Sequence, residues 1–138
     1  MHTLPLFEDV LSKIEAYVNM LGIQDYFRGV PKKSEFENGY DINYNETVIG
    51  VRSSKTKDCL DNVIPVTLYS VYGYEEVSSY DRMEPPDVQE FTIIEDCLLL
   101  RDAIFNVFVY IKRKKFEDDS ITYDYEKRKH LAVPIEGV

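Results

Sequence analysis

The residues of this chain that could support catalysis are few and widely spaced. It contains two histidines, His2 and His130, and two cysteines, Cys59 and Cys97, without a CxxC motif. Zinc sites and catalytic triads need several such residues at defined spacings, so both have little support. A cysteine–histidine nucleophile pair would need a thiol close to His130, which the spacing does not establish. We expect two reduced thiols, at least one of them in the core.

Carboxylates are abundant, and pairs of them could hold Mg²⁺ or act as acid and base. Adjacent pairs occur at Glu75–Glu76, Glu95–Asp96 and Asp118–Asp119. Neighbours on a strand point to opposite faces, so such a pair would not chelate one ion together. Pro86–Asp87 is similar to the start of a restriction-type nuclease motif, but no acid-x-Lys triplet follows at the usual distance. We therefore predict no enzyme, metal or cofactor, and keep a small carboxylate-based, metal-dependent hydrolase as an alternative.

The negative charge is concentrated in one segment. The net charge is -9, and residues 63–102 carry nine acidic residues but only two basic ones. These nine carboxylates define the acidic band, residues 75–102, and Tyr74, Tyr80, Met83 and Phe91 are interleaved with it. Such an array suits docking on a basic protein surface, where charge steers the encounter and aromatic side chains supply affinity. The alternative is a solvated strand edge that acidity keeps from aggregating.

The partner-binding residues that we predict come from the first part of this band and the tyrosine before it. They are Tyr74, Glu75, Glu76, Tyr80, Asp81, Glu84, Asp87, Glu90, Glu95 and Asp96.

Two basic runs, Lys112–Lys115 and Lys127–Lys129, could contact phosphates. Aromatic residues that could stack on bases lie beside them: Tyr110, Phe116, Tyr123 and Tyr125. Acidic residues separate the runs, however, and charged strand ends are common. Each run follows a predicted strand, so we expect its charge to protect the edge of the sheet from aggregation. We predict no direct nucleic-acid binding. They could also pair with the acidic band of a second copy, so a homodimer stays open.

Three short stretches carry a resemblance. Tyr72–Glu76 (YGYEE), Glu84–Asp87 (EPPD) and Glu90–Ile93 (EFTI) resemble a segment of small, mostly uncharacterised accessory proteins encoded by bacteriophages. The shared feature is a strand, an acidic proline-rich connection and a second strand, over about a sixth of the chain. The resemblance implies a phage or mobile-element product that acts on a host protein. Anti-restriction and anti-CRISPR inhibitors of this origin are small and acidic, and some mimic DNA.

We therefore predict a non-enzymatic acidic inhibitor that docks on a basic, nucleic-acid-handling host protein. If it mimics DNA, its carboxylates would occupy phosphate subsites of that partner. Two alternatives remain besides the hydrolase: a toxin-neutralising immunity protein and a phage structural component. No run of about 18 apolar residues exists, and His2 to Asp9 lacks the regions of a secretory signal. We expect a cytoplasmic protein, in the host cytoplasm if phage-encoded, without membrane contact.

Apolar periodicity predicts the elements that would hold these residues. A helix is expected over residues 5–21, with Pro5 in its first turn and Gly22 at its end. Residues 40–44 and 47–51 alternate as a β-hairpin, and residues 63–74 form a strand with Pro65 at an edge or bulge. The polar residues 53–62 are interpreted as a solvated loop.

The C-terminal half is more ambiguous. Apolar residues resume at 91–100, and residues 103–112 fit both a helix and a strand; β-branched and aromatic content favours a strand. Another strand is expected over 121–125, after a turn at 117–120. The fold class is therefore α+β: a single domain, 1–138, with an N-terminal helix packed on a mainly antiparallel sheet of about four to six strands. Predicted core residues are Val10, Ile14, Val18, Leu21, Val66, Leu68, Ile93, Leu98, Val107 and Val109.

Overall fold

A computed structural model of the 138-residue chain describes residues 4–77 and 87–117, apart from the side chains of residues 76, 77 and 87. The elements in chain order are α1 (Phe7–Leu21), a 3₁₀ turn (Gln24–Tyr26), β1 (Lys32–Phe36), β2 (Gly39–Asn43), β3 (Thr47–Lys57), β4 (Val63–Val77), β5 (Asp87–Cys97) and a second helix, α2, over residues 100–117. The predicted α+β class, with a helix on an antiparallel sheet, is confirmed. The chain divides into two compact units after Val107, within α2.

Helix α1 ends where the sequence predicts but begins at Phe7, so Pro5 precedes the N-cap, Leu6, and does not lie in the first turn. Val10, Ile14 and Val18 are buried along one stripe because residues four apart lie on the same helical face. Gly22 ends the helix in the left-handed conformation, with φ of 69°. The N–H groups of Gly22 and Ile23 donate to the carbonyls of Asn19 and Val18, which are the two bonds of a Schellman motif. The helix therefore stops at a residue that tolerates this φ.

The five strands form one antiparallel sheet in the order β1-β2-β3-β4-β5. The register aligns Ile42, Ile49 and Val71 side by side across β2, β3 and β4, and all three are fully buried. Tyr40 lies on the same face as Ile42, two residues earlier, and packs edge-on against Phe7 of α1. Helix α1 therefore covers this face of the sheet, and its buried stripe completes the core.

On the opposite face, Arg52 of β3 joins the first three strands. Its Nη2 lies 2.7 Å from the carboxylate of Asp41, and its Nη1 donates to the Tyr40 carbonyl at 2.8 Å. Its guanidinium also stacks over the Phe36 ring, 4.6 Å from the centroid. Planar guanidinium groups suit this combination of hydrogen bonding and stacking.

Strands β3 and β4 continue beyond their neighbours as a two-stranded ribbon, defined here as residues 53–57 paired with 63–67. Strand β2 pairs with β3 only as far as Arg52, and β5 pairs with β4 only from Tyr69 onwards. The interpretation of residues 53–62 as a loop is therefore wrong for its first half. Side chains of residues 53–57 alternate between the two faces of the ribbon, and both faces contact solvent. A strand of this kind has no apolar pattern because neither face is buried. Pro65 lies in the part of β4 that β5 does not pair with, which is an edge of the described sheet, as predicted.

Residues 58–62 form the turn that closes the ribbon. The carboxylate of Asp58 accepts hydrogen bonds from the N–H groups of Asn62 at 2.9 Å and Leu60 at 2.8 Å. These bonds lower the pKa of Asp58 because they favour its charged form. The turn is therefore held by its own side chain.

The strand predicted over residues 103–112 is wrong, because residues 100–117 form helix α2. Leu100, Ala103, Ile104 and Val107 are buried at spacings of three and four, so helical periodicity prevails over β propensity here. Lys112–Lys115 accordingly lie on a helix and do not follow a strand. The Lys112 ammonium lies 5.5 Å from the Phe108 ring centroid, one helical turn earlier. The strand and turn expected at 117–125, and Lys127–Lys129, lie outside the described residues, except Glu117 in α2.

The predicted core is confirmed in part. Val10, Ile14, Val18 and Val107 are buried, whereas Leu21, Val66, Leu68, Ile93 and Val109 keep partial exposure. Leu98, which the sequence places in the core, is 60% exposed, because it lies in the connection between the end of β5 at Cys97 and α2. The largest omissions from the prediction were Ile42, Ile49, Val51, Val71 and Ile104.

Among the helices that the structure describes, none is both long and apolar enough to cross a membrane.

Candidate functional site

The candidate site is the edge of the sheet formed by β4 and β5. β5 is last in the order of the described strands, and within residues 4–77 and 87–117 its one strand neighbour is β4. Glu90, Glu95 and Asp96 of β5 and Glu75 of β4 are all exposed to solvent. The predicted acidic band therefore includes a strand at the boundary of the described sheet, with carboxylates exposed to solvent.

The centre of this edge is the pair formed by Tyr74 and Glu90, which lie directly opposite each other in the register. Their side chains are joined by a hydrogen bond. Partial burial raises the pKa of Tyr74, and the charge of Glu90 and this hydrogen bond raise it further. The phenol therefore stays protonated and can donate to the carboxylate. Tyr74 remains 39% exposed, so its ring is accessible to a partner.

Glu75 lies beside this pair and is paired in the register with Gln89. Successive residues of a strand point to opposite faces, so Glu75 lies on the other face from Tyr74. The edge thus presents a carboxylate on each face, around one tyrosine. Val88, two residues before Glu90 and on the same face, is exposed and adds apolar surface.

Glu95 and Asp96 lie at the other end of β5. Glu90 and Glu95 are five residues apart, which corresponds to roughly 17 Å along a strand. Register shifts between β4 and β5 occur at this end, and Asp96 has φ of 57°. Its N–H donates to the Ser70 hydroxyl at 3.1 Å. These irregularities bend the strand end and separate the two acids from the Tyr74–Glu90 pair.

The structure thus brings together three of the ten predicted partner-binding residues, Tyr74, Glu75 and Glu90, and sets Glu95 and Asp96 apart. Tyr80, Asp81 and Glu84 lie outside the described residues. For Glu76 and Asp87 the backbone is described, and it pairs them with Val88 and Val77. Val88 is not recognisable from the sequence, because a lone apolar residue in an acidic stretch has no distinguishing pattern.

Two of the catalytic alternatives that the sequence left open, a metal site and a cysteine nucleophile, involve residues that the structure describes. No group of three or more histidine, cysteine, aspartate or glutamate side chains within residues 4–77 and 87–117 could hold a metal ion. Cys59 lies exposed in the ribbon turn, and Cys97 lies at the end of β5, opposite Tyr69. Partial burial, and then the charges of Asp102 and Asp96, raise the pKa of the Cys97 thiol. A raised pKa reduces the thiolate fraction that nucleophilic chemistry needs.

No protein-family model matches this sequence, and no curated protein or solved structure matches it significantly.

Proposed function

We propose that this chain is a non-enzymatic acidic binding protein that inhibits a basic, nucleic-acid-handling host protein through the β4–β5 edge. The observation that carries the proposal is the Tyr74–Glu90 pair. It combines a partly exposed aromatic ring with a carboxylate, and Glu75 lies next to it on the opposite face. Aromatic side chains dominate the affinity of protein interfaces, and surrounding charges set the rate and selectivity of encounter.

The hydrogen bond between Tyr74 and Glu90 supports this role energetically. A ring that is already ordered in the free protein loses little conformational freedom when a partner covers it, so more of the contact energy contributes to affinity. Its exposed neighbours Glu75 and Glu90 extend the negative potential of a chain with net charge -9. A partner with a basic groove for phosphates would be attracted over long range. The resemblance to phage accessory proteins is consistent with such a target.

A charge-reversal experiment tests the proposal. The wild-type protein, the variant Glu75→Lys/Glu90→Lys and the control Glu35→Lys/Glu37→Lys would each capture proteins from a host lysate for mass spectrometry. The control changes the net charge equally, at the opposite edge of the sheet and just beyond β1. We expect wild type and control to retain a basic nucleic-acid-handling protein that the β4–β5 variant loses. Equal capture by all three would contradict the proposal.

Kinetics with the purified partner provide the second measurement. Reversing Glu75 and Glu90 should slow association and weaken its dependence on salt, because steering charges act mainly on the association rate. Tyr74→Ala should instead accelerate dissociation, because it removes a buried anchor of the complex. If both variants inhibit the partner as wild type does, the β4–β5 edge is not the interface.

The captured protein also separates the inhibitor from its alternatives. A host restriction or CRISPR component supports the inhibitor, whereas a toxin encoded beside this chain indicates an immunity protein. A metal-dependent hydrolase would instead show an activity that a chelator abolishes, and that single Asp or Glu substitutions remove without unfolding the protein. A structural component would be present in purified phage particles.

A further inference from the structure

The ribbon of β3 and β4 exposes apolar side chains that the described part of the fold leaves open to solvent. Leu60 in the turn is 77% exposed and Val63 is 61% exposed. Ile64 follows Val63 on the opposite face and is also exposed. A lone two-stranded ribbon is marginally stable in water, and clustered exposed apolar residues mark interaction sites. The ribbon therefore has the properties of a docking element.

One face of the ribbon combines these apolar residues with positive charge. Lys55 lies opposite Pro65 and Lys57 lies opposite Val63, and the alternation of side chains puts all four on the same face. Both lysines are exposed. An open groove of about 570 Å³ borders the ribbon near Lys55 and Pro65. This face is suited to a surface that is acidic and apolar at once.

Such a surface exists on the same chain, at the corner defined by Glu95, Asp96, Leu98 and Leu99. All four residues are exposed. The corner begins where Cys97 pairs with Tyr69, immediately before the ribbon leaves the sheet. Val63 lies six residues along β4 from Tyr69, which corresponds to roughly 20 Å in an extended strand, so the end of the ribbon is distant from the corner of its own chain.

We propose that the ribbon of one copy docks on the corner of a second copy, and that the exchange is reciprocal about a twofold axis. Lys55 and Lys57 then meet Glu95 and Asp96 of the second copy, and Val63 meets its leucines. In a twofold dimer each copy contributes one ribbon and one corner, so the same contact forms twice. No ribbon or corner is then left for a third copy. Glu90 lies roughly 17 Å along the strand from the corner, so the Tyr74–Glu90 pair stays accessible in this dimer.

Sedimentation velocity of the full chain, from micromolar to millimolar concentration, tests this dimer. Three variants are compared with wild type: Lys55→Glu/Lys57→Glu in the ribbon, Glu95→Lys/Asp96→Lys in the corner, and Lys32→Glu/Lys33→Glu in β1 as a control with the same charge change as the ribbon variant. We expect wild type and control to dimerise. Each of the other two should raise the dissociation constant on the order of tenfold or more, because like charges face each other at both contacts. Circular dichroism would establish that each variant is folded.

Mixing the ribbon and corner variants gives the decisive measurement. In the mixed dimer both contacts again join opposite charges, so heterodimers should form with about the wild-type affinity. The proposal is overturned if wild type stays monomeric, if the reversals leave the dimer unchanged, or if the mixture stays monomeric. If wild type is monomeric and the ribbon variant no longer captures the host protein, the ribbon binds that host protein and not a second copy. Loss of the dimer alone leaves the proposed inhibitor function intact, since that function is tested at Glu75 and Glu90.

Discussion

The hydroxyl of Tyr40 donates a 2.7 Å hydrogen bond to the backbone carbonyl of Pro5, and so joins β2 to the residues that lead into α1. Tyr44 lies four residues further along the chain and is also buried. Its hydroxyl is buried as well, but it has no hydrogen-bond partner in the part of the chain that the structure describes. The two tyrosines thus provide a matched comparison between a satisfied phenol and an unsatisfied one.

Removing each hydroxyl should have a different effect on the free energy of unfolding. Tyr40→Phe should lower it by about 1 kcal/mol, the net contribution of a typical hydrogen bond, and leave the Pro5 carbonyl without this donor. Tyr44→Phe should leave it unchanged or raise it, because the hydroxyl is desolvated without compensation. Urea denaturation measures both values. Equal losses in the two variants would show that the Tyr44 hydroxyl is bonded in solution.

Alkaline pH should destabilise the protein through the same residues. Burial raises the pKa of Tyr40 and of Tyr44 from 10.0 to about 12, and nearby carboxylates add to the effect. Above pH 10 the unfolded chain loses protons that the folded chain keeps. The contribution of these tyrosines to the free energy of unfolding is therefore complete below pH 10 and is lost as the pH rises towards 12. The variant Tyr40→Phe/Tyr44→Phe should lose less stability over this interval. Denaturation at stepwise increasing pH measures how the free energy of unfolding depends on pH in both proteins. If burial of these tyrosines were not the cause, wild type and the double variant would show the same dependence.

The close approach of Phe91 to Gly73 gives a third prediction. The two residues are cross-strand partners, and a methyl group added at Gly73 would lie 2.6 Å from the Phe91 ring. Gly73→Ala should therefore lower the free energy of unfolding by about 1–3 kcal/mol, the usual cost of overpacking. In the Phe91→Ala background the same change should cost clearly less, because the ring is gone. Thermal or urea unfolding of the four proteins in this cycle provides the comparison, and additive losses would exclude the contact.

The two cysteines should differ in reactivity. Cys59 is exposed in the ribbon turn, whereas Cys97 is partly buried and its pKa is raised. Thiol reagents react with the thiolate, so native Cys97 should react more slowly than Cys59 at neutral pH, and unfolding should abolish the difference. Labelling of Cys59→Ser and Cys97→Ser separates the two rates. Faster labelling of Cys97 would contradict the environment described for it.

Local patterns in the sequence predict those helices and strands that bury one face and expose the other. Val10, Ile14 and Val18 recur at helical spacing, and Gly22 indicates the end of α1, so this helix was located correctly. The ribbon was missed because solvent covers both faces of residues 53–57, and an apolar alternation arises only when one face is buried. Residues 103–112 fitted two periodicities, and the choice depends on tertiary contacts of Ala103, Ile104 and Val107 that one sequence does not reveal.

For the candidate site, the sequence indicated composition but no geometry. The acidic band and Tyr74 were recognisable from charge and residue type alone. The pairing of Tyr74 with Glu90 depends on the register of β4 and β5, and the separation of Glu95 and Asp96 depends on the irregularities near Val71. Register follows from the packing of a whole sheet, so one strand's sequence does not determine it.

The strand order has a consequence for how this protein is made. Each strand of the described sheet pairs with the next one in the chain, so every pairing from β1 to β5 joins consecutive strands. Low contact order of this kind favours fast folding, because each loop closure brings together residues that are close in sequence. A hairpin can also form as soon as its second strand leaves the ribosome, without waiting for the C-terminus. The sheet can therefore assemble one strand at a time during synthesis, which shortens the period in which its apolar face is open to aggregation.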